Sequence, residues 1–114
     1  MARVGVAGTG SWGTTLAILG ARAGQQVSLW ARTEEEAERL RTDGENRRLL
    51  PGIPLPDGIS VTSSADEAFG DVEAALIVVP SRTLRANARV IGEHIASSAV
   101  VVSATKGFEL GTGK

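Results

Sequence analysis

Six residues near the start of the chain, Gly8-Thr9-Gly10-Ser11-Trp12-Gly13, carry glycines at the spacing G-x-G-x-x-G. They follow a short β-type run, Arg3 to Ala7, and open a segment of helical period, Trp12 to Ala23, with Leu16, Leu19, Gly20 and Ala23 at i, i+3, i+4 and i+7. A strand before and a helix after is the setting in which this spacing holds the pyrophosphate of a dinucleotide. Gly8 would permit the tight turn, Gly10 would let the phosphates approach the backbone, and Gly13 would let helix and strand pack closely. Free N–H groups and the positive end of the helix dipole then supply the attraction. Ser11 and Trp12 lie inside the turn. Ser11 reads either as a helix N-cap or as a phosphate contact, and Trp12 either as core or as a cofactor contact.

A second position bears on which dinucleotide is held. About twenty residues after such a turn, NAD-specific proteins place a carboxylate on the ribose 2′-hydroxyl. Here the residues following Leu29-Trp30-Ala31 are Arg32 and Thr33. A guanidinium offers paired donors to a 2′-phosphate and stacks on adenine, so NADP(H) is favoured over NAD(H). The plainer reading is that Arg32 is a solvated loop residue. Lys106 follows the last expected strand, at the sheet edge where ligands of open α/β folds bind. It reads as a ligand contact or as a solvated lysine. The one histidine, His94, sits near the end of an amphipathic helix and reads as a surface residue, not a catalyst.

The elements that must position these groups alternate. After the first strand and helix, Gln26 to Ala31 reads as a strand. Thr33 and Glu36 form a capping-box pair opening a helix to about Thr42, ended by Asp43-Gly44. The acidic run Glu34 to Glu38 is that helix's N-terminus and solvated face. Asn46 to Gly58 contains Pro51, Pro54 and Pro56 and is expected to be an irregular loop. Ile59 to Thr62 is a short strand, and Ser64 with Glu67 caps a helix ending at Gly70. The apolar run Ala74 to Val79 predicts a strand buried on both faces. Thr83 to Ile95 is helical, with Leu84, Ala88, Ile91 and Ile95 on one face, and Ala99 to Val102 is another buried strand. The order β-α-β-α-β-α-β-α-β predicts an α/β fold, a Rossmann-type doubly wound parallel sheet with right-handed crossovers.

Composition excludes several other chemistries. The 114 residues are 42% hydrophobic and 22% charged, which suits one globular domain. Twelve basic residues against 13 acidic ones leave a net charge of −1, which argues against nucleic acid or a membrane surface held by bulk charge. With no cysteine and a single histidine, disulfides, thiolate catalysis and a zinc site have no ligands to draw on. The opening residues are too short an apolar run for a signal peptide, and no run approaches the roughly 20 residues of a membrane span. A cytoplasmic location is expected.

Five blocks in order resemble bacterial NAD(P)-dependent glycerol-3-phosphate dehydrogenase. They are the segment Val6 to Ala17, Leu29 to Arg32, the loop Asn46 to Ile53, Val78-Val79-Pro80-Ser81, and Ala104-Thr105-Lys106-Gly107-Phe108-Glu109. Ala7, Thr9 and Leu49 depart locally from the family's usual glycine, alanine and aromatic residue. The resemblance implies that Ser11, Trp12, Arg32 and Thr33 contact the dinucleotide and that Lys106 touches both cofactor and a phosphotriose substrate. It also implies reduction of dihydroxyacetone phosphate to sn-glycerol 3-phosphate, feeding phospholipid synthesis. Residues 1–114 would be the NAD(P)-binding domain, with a helical C-terminal substrate domain outside it that carries the catalytic lysine. On that reading no catalytic residue lies in these 114 residues, the fragment binds without turnover, and a homo-oligomer belongs to the full-length enzyme. The alternatives are a 3-hydroxyacid-type dehydrogenase and a stand-alone dinucleotide-binding module without catalysis.

Overall fold

The computed structural model describes residues 2–47, 50–78, 81–95 and 99–103. Along them run β1 (Arg3–Ala7), α1 (Ser11–Arg22), β2 (Gln26–Trp30), α2 (Glu34–Asp43), β3 (Ile59–Thr62), α3 (Ala65–Phe69), β4 (Ala74–Ile77), α4 (Ser81–His94) and β5 (Val100–Ser103). All four strand pairings are parallel, and the order across the sheet is β3-β2-β1-β4-β5. This is the doubly wound Rossmann-type architecture. Its consequence for function lies in the reversal beside β1. The chain winds outward through β2 and β3, then crosses to β4 and β5, so the ends of β1 and β4 diverge into a crevice.

Side-chain alternation along the strands feeds two cores. Val6, Val27, Leu29 and Val78 pack with Ala17 of α1 and Leu40 of α2 on one face. On the other, Ala7, Trp30, Ala75 and Ile77 pack with Ala65, Ala68 and Phe69 of α3 and with Ile91 of α4. Phe69 lies across β1 so closely that a Cβ on Gly5 would come within 2.6 Å of its ring and 2.5 Å of the Ala68 carbonyl oxygen. Trp30 meets the Phe69 ring edge-on at a centroid separation of 5.9 Å. Its indole N–H donates to the Ser63 carbonyl at 3.1 Å, satisfying the polar end of a buried ring.

Several expectations change. The apolar face of α1, expected along Leu16, Leu19, Gly20 and Ala23, is turned toward Gly13, Thr14, Ala17 and Ile18, while Leu19 is 54% exposed. The contact of Gly13 against the Gly8 carbonyl sets the helix's rotation, overriding the position of the larger leucine. β5 was expected to be buried, yet Val100, Val101 and Val102 are 62%, 52% and 45% exposed. Among the described residues it is the edge strand, paired on one side only, with β4. β4 ends at Ile77, earlier than the apolar run, and Val79 and Pro80 lie outside the described residues. The expected loop does hold over its described residues, 45–47 and 50–58, which are irregular apart from one isolated bridge, Glu45 to Pro54. Among the described residues no helix is long and apolar enough to cross a membrane.

Candidate dinucleotide-binding site

The glycine turn leaves the carboxyl end of β1, where Ala7 is in register with Trp30 of β2 and Ile77 of β4. Gly8 has φ +127°, a conformation side chains rarely adopt, and a Cβ there would strike the Val78 carbonyl. The turn is thus pressed against the end of β4, where the Val78 N–H donates to the Ala7 carbonyl at 2.8 Å. Gly13 is as confined, because a Cβ there would meet the Gly8 carbonyl. Gly10 differs from both. Its backbone is ordinary extended chain (φ −70°, ψ 178°), it is exposed, and a Cβ on it would meet nothing within 4 Å. Two glycines are required by the fold, and the third keeps a space open.

Gly10 is the N-cap of α1 and offers no capping side chain, so Ser11 is the first helical residue and not the cap. The first turn of α1 holds no acidic residue. The next two helices are finished differently. Thr33 caps α2 by accepting from the Glu36 N–H at 3.1 Å, with Glu34, Glu35 and Glu36 in the first turn. Ser64 caps α3 by accepting from the Glu67 N–H, with Asp66 and Glu67 following. In those helices side-chain oxygen and negative charge answer the free N–H groups and the dipole; α1 has neither.

Trp12 is 48% exposed, which removes the core reading and puts an aromatic face beside the open turn. Arg32 and Thr33 follow β2, next in the sheet to β1, so both loops leave the same edge. Arg32 is exposed and, among the described residues, has neither hydrogen bond nor ion pair. Thr33 has a structural task as the α2 cap. The capping box is only half made. The Glu36 carboxylate does not return to Thr33 but accepts the Thr9 hydroxyl at 2.8 Å, tying the glycine turn to α2. On the far rim of α2, Glu34 accepts from the Ser63 hydroxyl at 2.7 Å and from Arg41 at 3.2 Å. The Ser63 hydrogen bond, then Arg41, hold the Glu34 carboxyl below its usual range. Arg41 also donates to the Val61 carbonyl at 3.0 Å, so this group ties α2 to β3. Lys106 lies outside the described residues. His94 is exposed at the end of α4, 3.9 Å from Asp66.

Sequence reasoning missed Thr14 and Asn46. Both are buried, and the Asn46 amide donates to the Thr9 carbonyl at 2.6 Å and to the Thr14 hydroxyl at 2.9 Å. A threonine inside a helix and an asparagine in a proline-rich loop have no local pattern that announces their meeting.

The family described as NAD-dependent glycerol-3-phosphate dehydrogenase N-terminus matches residues 3–114. The chain belongs to that family. A Corynebacterium glutamicum protein named glycerol-3-phosphate dehydrogenase (NAD(P)+) is 48% identical to this family member over 112 residues, covering 98% of the chain and 34% of the relative. A Streptomyces griseus protein of the same name is 46% identical over 112 residues, 98% of the chain and 33% of the relative. The crystal structure of glycerol-3-phosphate dehydrogenase from Coxiella burnetii superposes with a TM-score of 0.86 at 30% identity, covering 92% of this chain and 32% of that one. The Saccharomyces cerevisiae glycerol-3-phosphate dehydrogenase superposes with a TM-score of 0.81 at 28% identity, covering 91% and 33%. The chain thus spans about a third of the length of the curated relatives it matches.

Proposed function

We propose that these residues form the NAD(P)-binding part of a glycerol-3-phosphate dehydrogenase, which interconverts dihydroxyacetone phosphate and sn-glycerol 3-phosphate. The observation that carries the reading is the start of α1: an uncapped helix N-terminus without acidic residues, behind an open Gly10, at the reversal point of the sheet. These features fit a dinucleotide. Gly8 and Gly13 hold the turn closed against β4 and α1, and Gly10 leaves room for the pyrophosphate. The backbone N–H groups of Ser11, Trp12 and Gly13 bind the phosphates, and the Trp12 ring shields one side from water. Arg32, exposed and without an internal partner, binds the ribose 2′-phosphate, so NADP(H) is preferred to NAD(H). Thr33 lines the same wall while capping α2. Lys106 orients the phosphotriose next to the cofactor. The bound nicotinamide supplies or accepts the hydride exchanged with C2 of the substrate. An acid–base group must still serve the substrate oxygen. We assign it to the part of the relatives' length that this match does not span, and turnover depends on that part.

Calorimetric titration with NADPH and with NADH tests the binding half, and failure of both to bind would overturn it. An NADPH-oxidation assay with dihydroxyacetone phosphate tests the rest, comparing the 114 residues with a version extended as in the relatives. Equal turnover by the two would place the acid–base group within these 114 residues, with Lys106 first in line.

A further inference from the structure

The hydrogen bonds behind the glycine turn converge on one side chain. Asn46 stands 37 residues from Thr9 and 32 from Thr14, in the irregular stretch after α2, and is 5% exposed. One amide hydrogen goes to the Thr9 carbonyl and the other to the Thr14 hydroxyl. A carbonyl only accepts, so the amide must present its nitrogen here; an oxygen in that place would face an oxygen. Thr9 and Thr14 flank the open Gly10, and Thr14 also donates its own N–H to the Gly10 carbonyl at 3.0 Å. Thr9 is held a second time through its hydroxyl on Glu36. The segment carrying Asn46 is itself braced: the Leu50 N–H donates to the Asn46 carbonyl at 2.7 Å, Leu55 to Gly44 at 2.8 Å, and Gly52 to the Glu45 carboxylate at 3.0 Å.

We infer that Asn46 is a positioning residue for the dinucleotide site: it pins the turn on both sides of Gly10, so that the N–H groups at the start of α1 are aimed before the ligand arrives. The inference rests on the binding reading above. Gly10 is the most permissive residue in the turn and has no side-chain contact of its own, so order at that point has to be imposed from its neighbours. A single amide bonded to residues on either side does so across the gap. The ordering entropy is then met on folding and not on binding, which is how preorganisation raises affinity. The physical coupling is specific. A disturbance of the stretch after α2 reaches the phosphate turn through Asn46 without touching the ligand.

Asn46→Asp is the discriminating variant, because it keeps the shape and makes the donor titratable. Protonated, the carboxyl donates to the Thr9 carbonyl and accepts from the Thr14 hydroxyl; ionised, it sets negative charge against that carbonyl in a buried place. NAD+ is the probe, since its pyrophosphate does not titrate between pH 5.5 and 8.5. Affinity of the variant is expected within about threefold of the unsubstituted protein at pH 5.5 and about tenfold weaker or more at pH 8.5. Glu36, Arg39, Asp43, Glu45 and Arg47 line the same cavity as Asn46 and are present in both proteins, so their own titration drops out of the ratio. A folded variant whose affinity matches at every pH overturns the inference, as does a deficit that does not vary with pH. Should Asn46→Asp fail to fold, Thr14→Val removes one acceptor and Thr14→Ser retains it. Threefold or greater weakening in the first with recovery in the second supports the pinning, and equal affinities refute it. Failure of the unsubstituted protein to bind NAD+ would sink the binding reading instead. The pinning then still reads out in the ligand-free protein as faster amide exchange at Thr14 in Asn46→Asp at pH 8.5, after correction for intrinsic rate, and unchanged exchange overturns it.

Discussion

Replacing Gly10 with valine separates binding from folding more cleanly than any other change in the turn. The backbone there is extended (φ −70°, ψ 178°), which a β-branched residue adopts readily, and the new Cβ would have no neighbour within 4 Å. Folding therefore meets no clash. Loss of unfolded-chain freedom stabilises by about 0.4–1 kcal/mol, and the poorer N-cap offsets about as much. The net change in stability is expected to stay within about 1 kcal/mol. Binding is another matter, because the open space is the approach to the N–H groups of α1. Three added carbons hold a phosphate away from those donors, and each hydrogen bond to a charged group contributes about 1.5–3 kcal/mol. Loss of one such bond predicts a dissociation constant raised at least tenfold, ~1.4 kcal/mol. Titration with NADH gives the affinity, and a thermal melt followed by far-ultraviolet circular dichroism shows whether the variant is folded. A folded Gly10→Val protein with unchanged affinity would refute both the placement of the phosphates and the part assigned to the open glycine.

Other sites give independent tests. Arg32→Asp is expected to weaken NADPH at least about tenfold more than NADH, since it sets a carboxylate where a 2′-phosphate would lie; equal losses would leave Arg32 no part in telling the two apart. Gly5→Ala should cost about 1–3 kcal/mol, because a Cβ would sit 2.5 Å from a backbone oxygen that cannot swing aside, and a melting temperature lowered by roughly 5–10 °C would reveal it. The Glu34 carboxyl lies below its ordinary value of 4.5, so its contribution to stability is present above that pH and fades as pH falls through the lowered value. Glu34→Gln should accordingly melt lower than the unsubstituted protein at pH 7, by a small margin for so exposed a group, and the two curves should converge in acid. A difference that persists or grows at low pH would contradict that origin.

The elements were legible in the sequence because their signals are local. The caps at Thr33 and Ser64 and the stops at Gly44 and Gly70 depend on residues within a few positions of one another, and each recurs in the structure. The glycine turn was legible for the same reason, since the backbone conformation at Gly8 and the close packing at Gly13 are demands made on single residues. Their distinct roles were legible as well, because the spacing of the motif makes Gly10 the open one between two confined glycines. That Trp12 and Leu19 face outward follows from how α1 seats on the sheet. Tertiary structure alone decided the strand order that brings the ends of β1 and β2 to one edge and presses Val78 against Gly8. Among the described residues it also leaves β5 exposed, since an apolar run records burial propensity and not which neighbour covers it. It also carried Asn46 across 37 residues to the Thr9 carbonyl. A buried polar contact of that span depends on donor and acceptor meeting in space, and neither residue's surroundings in the chain encode the other.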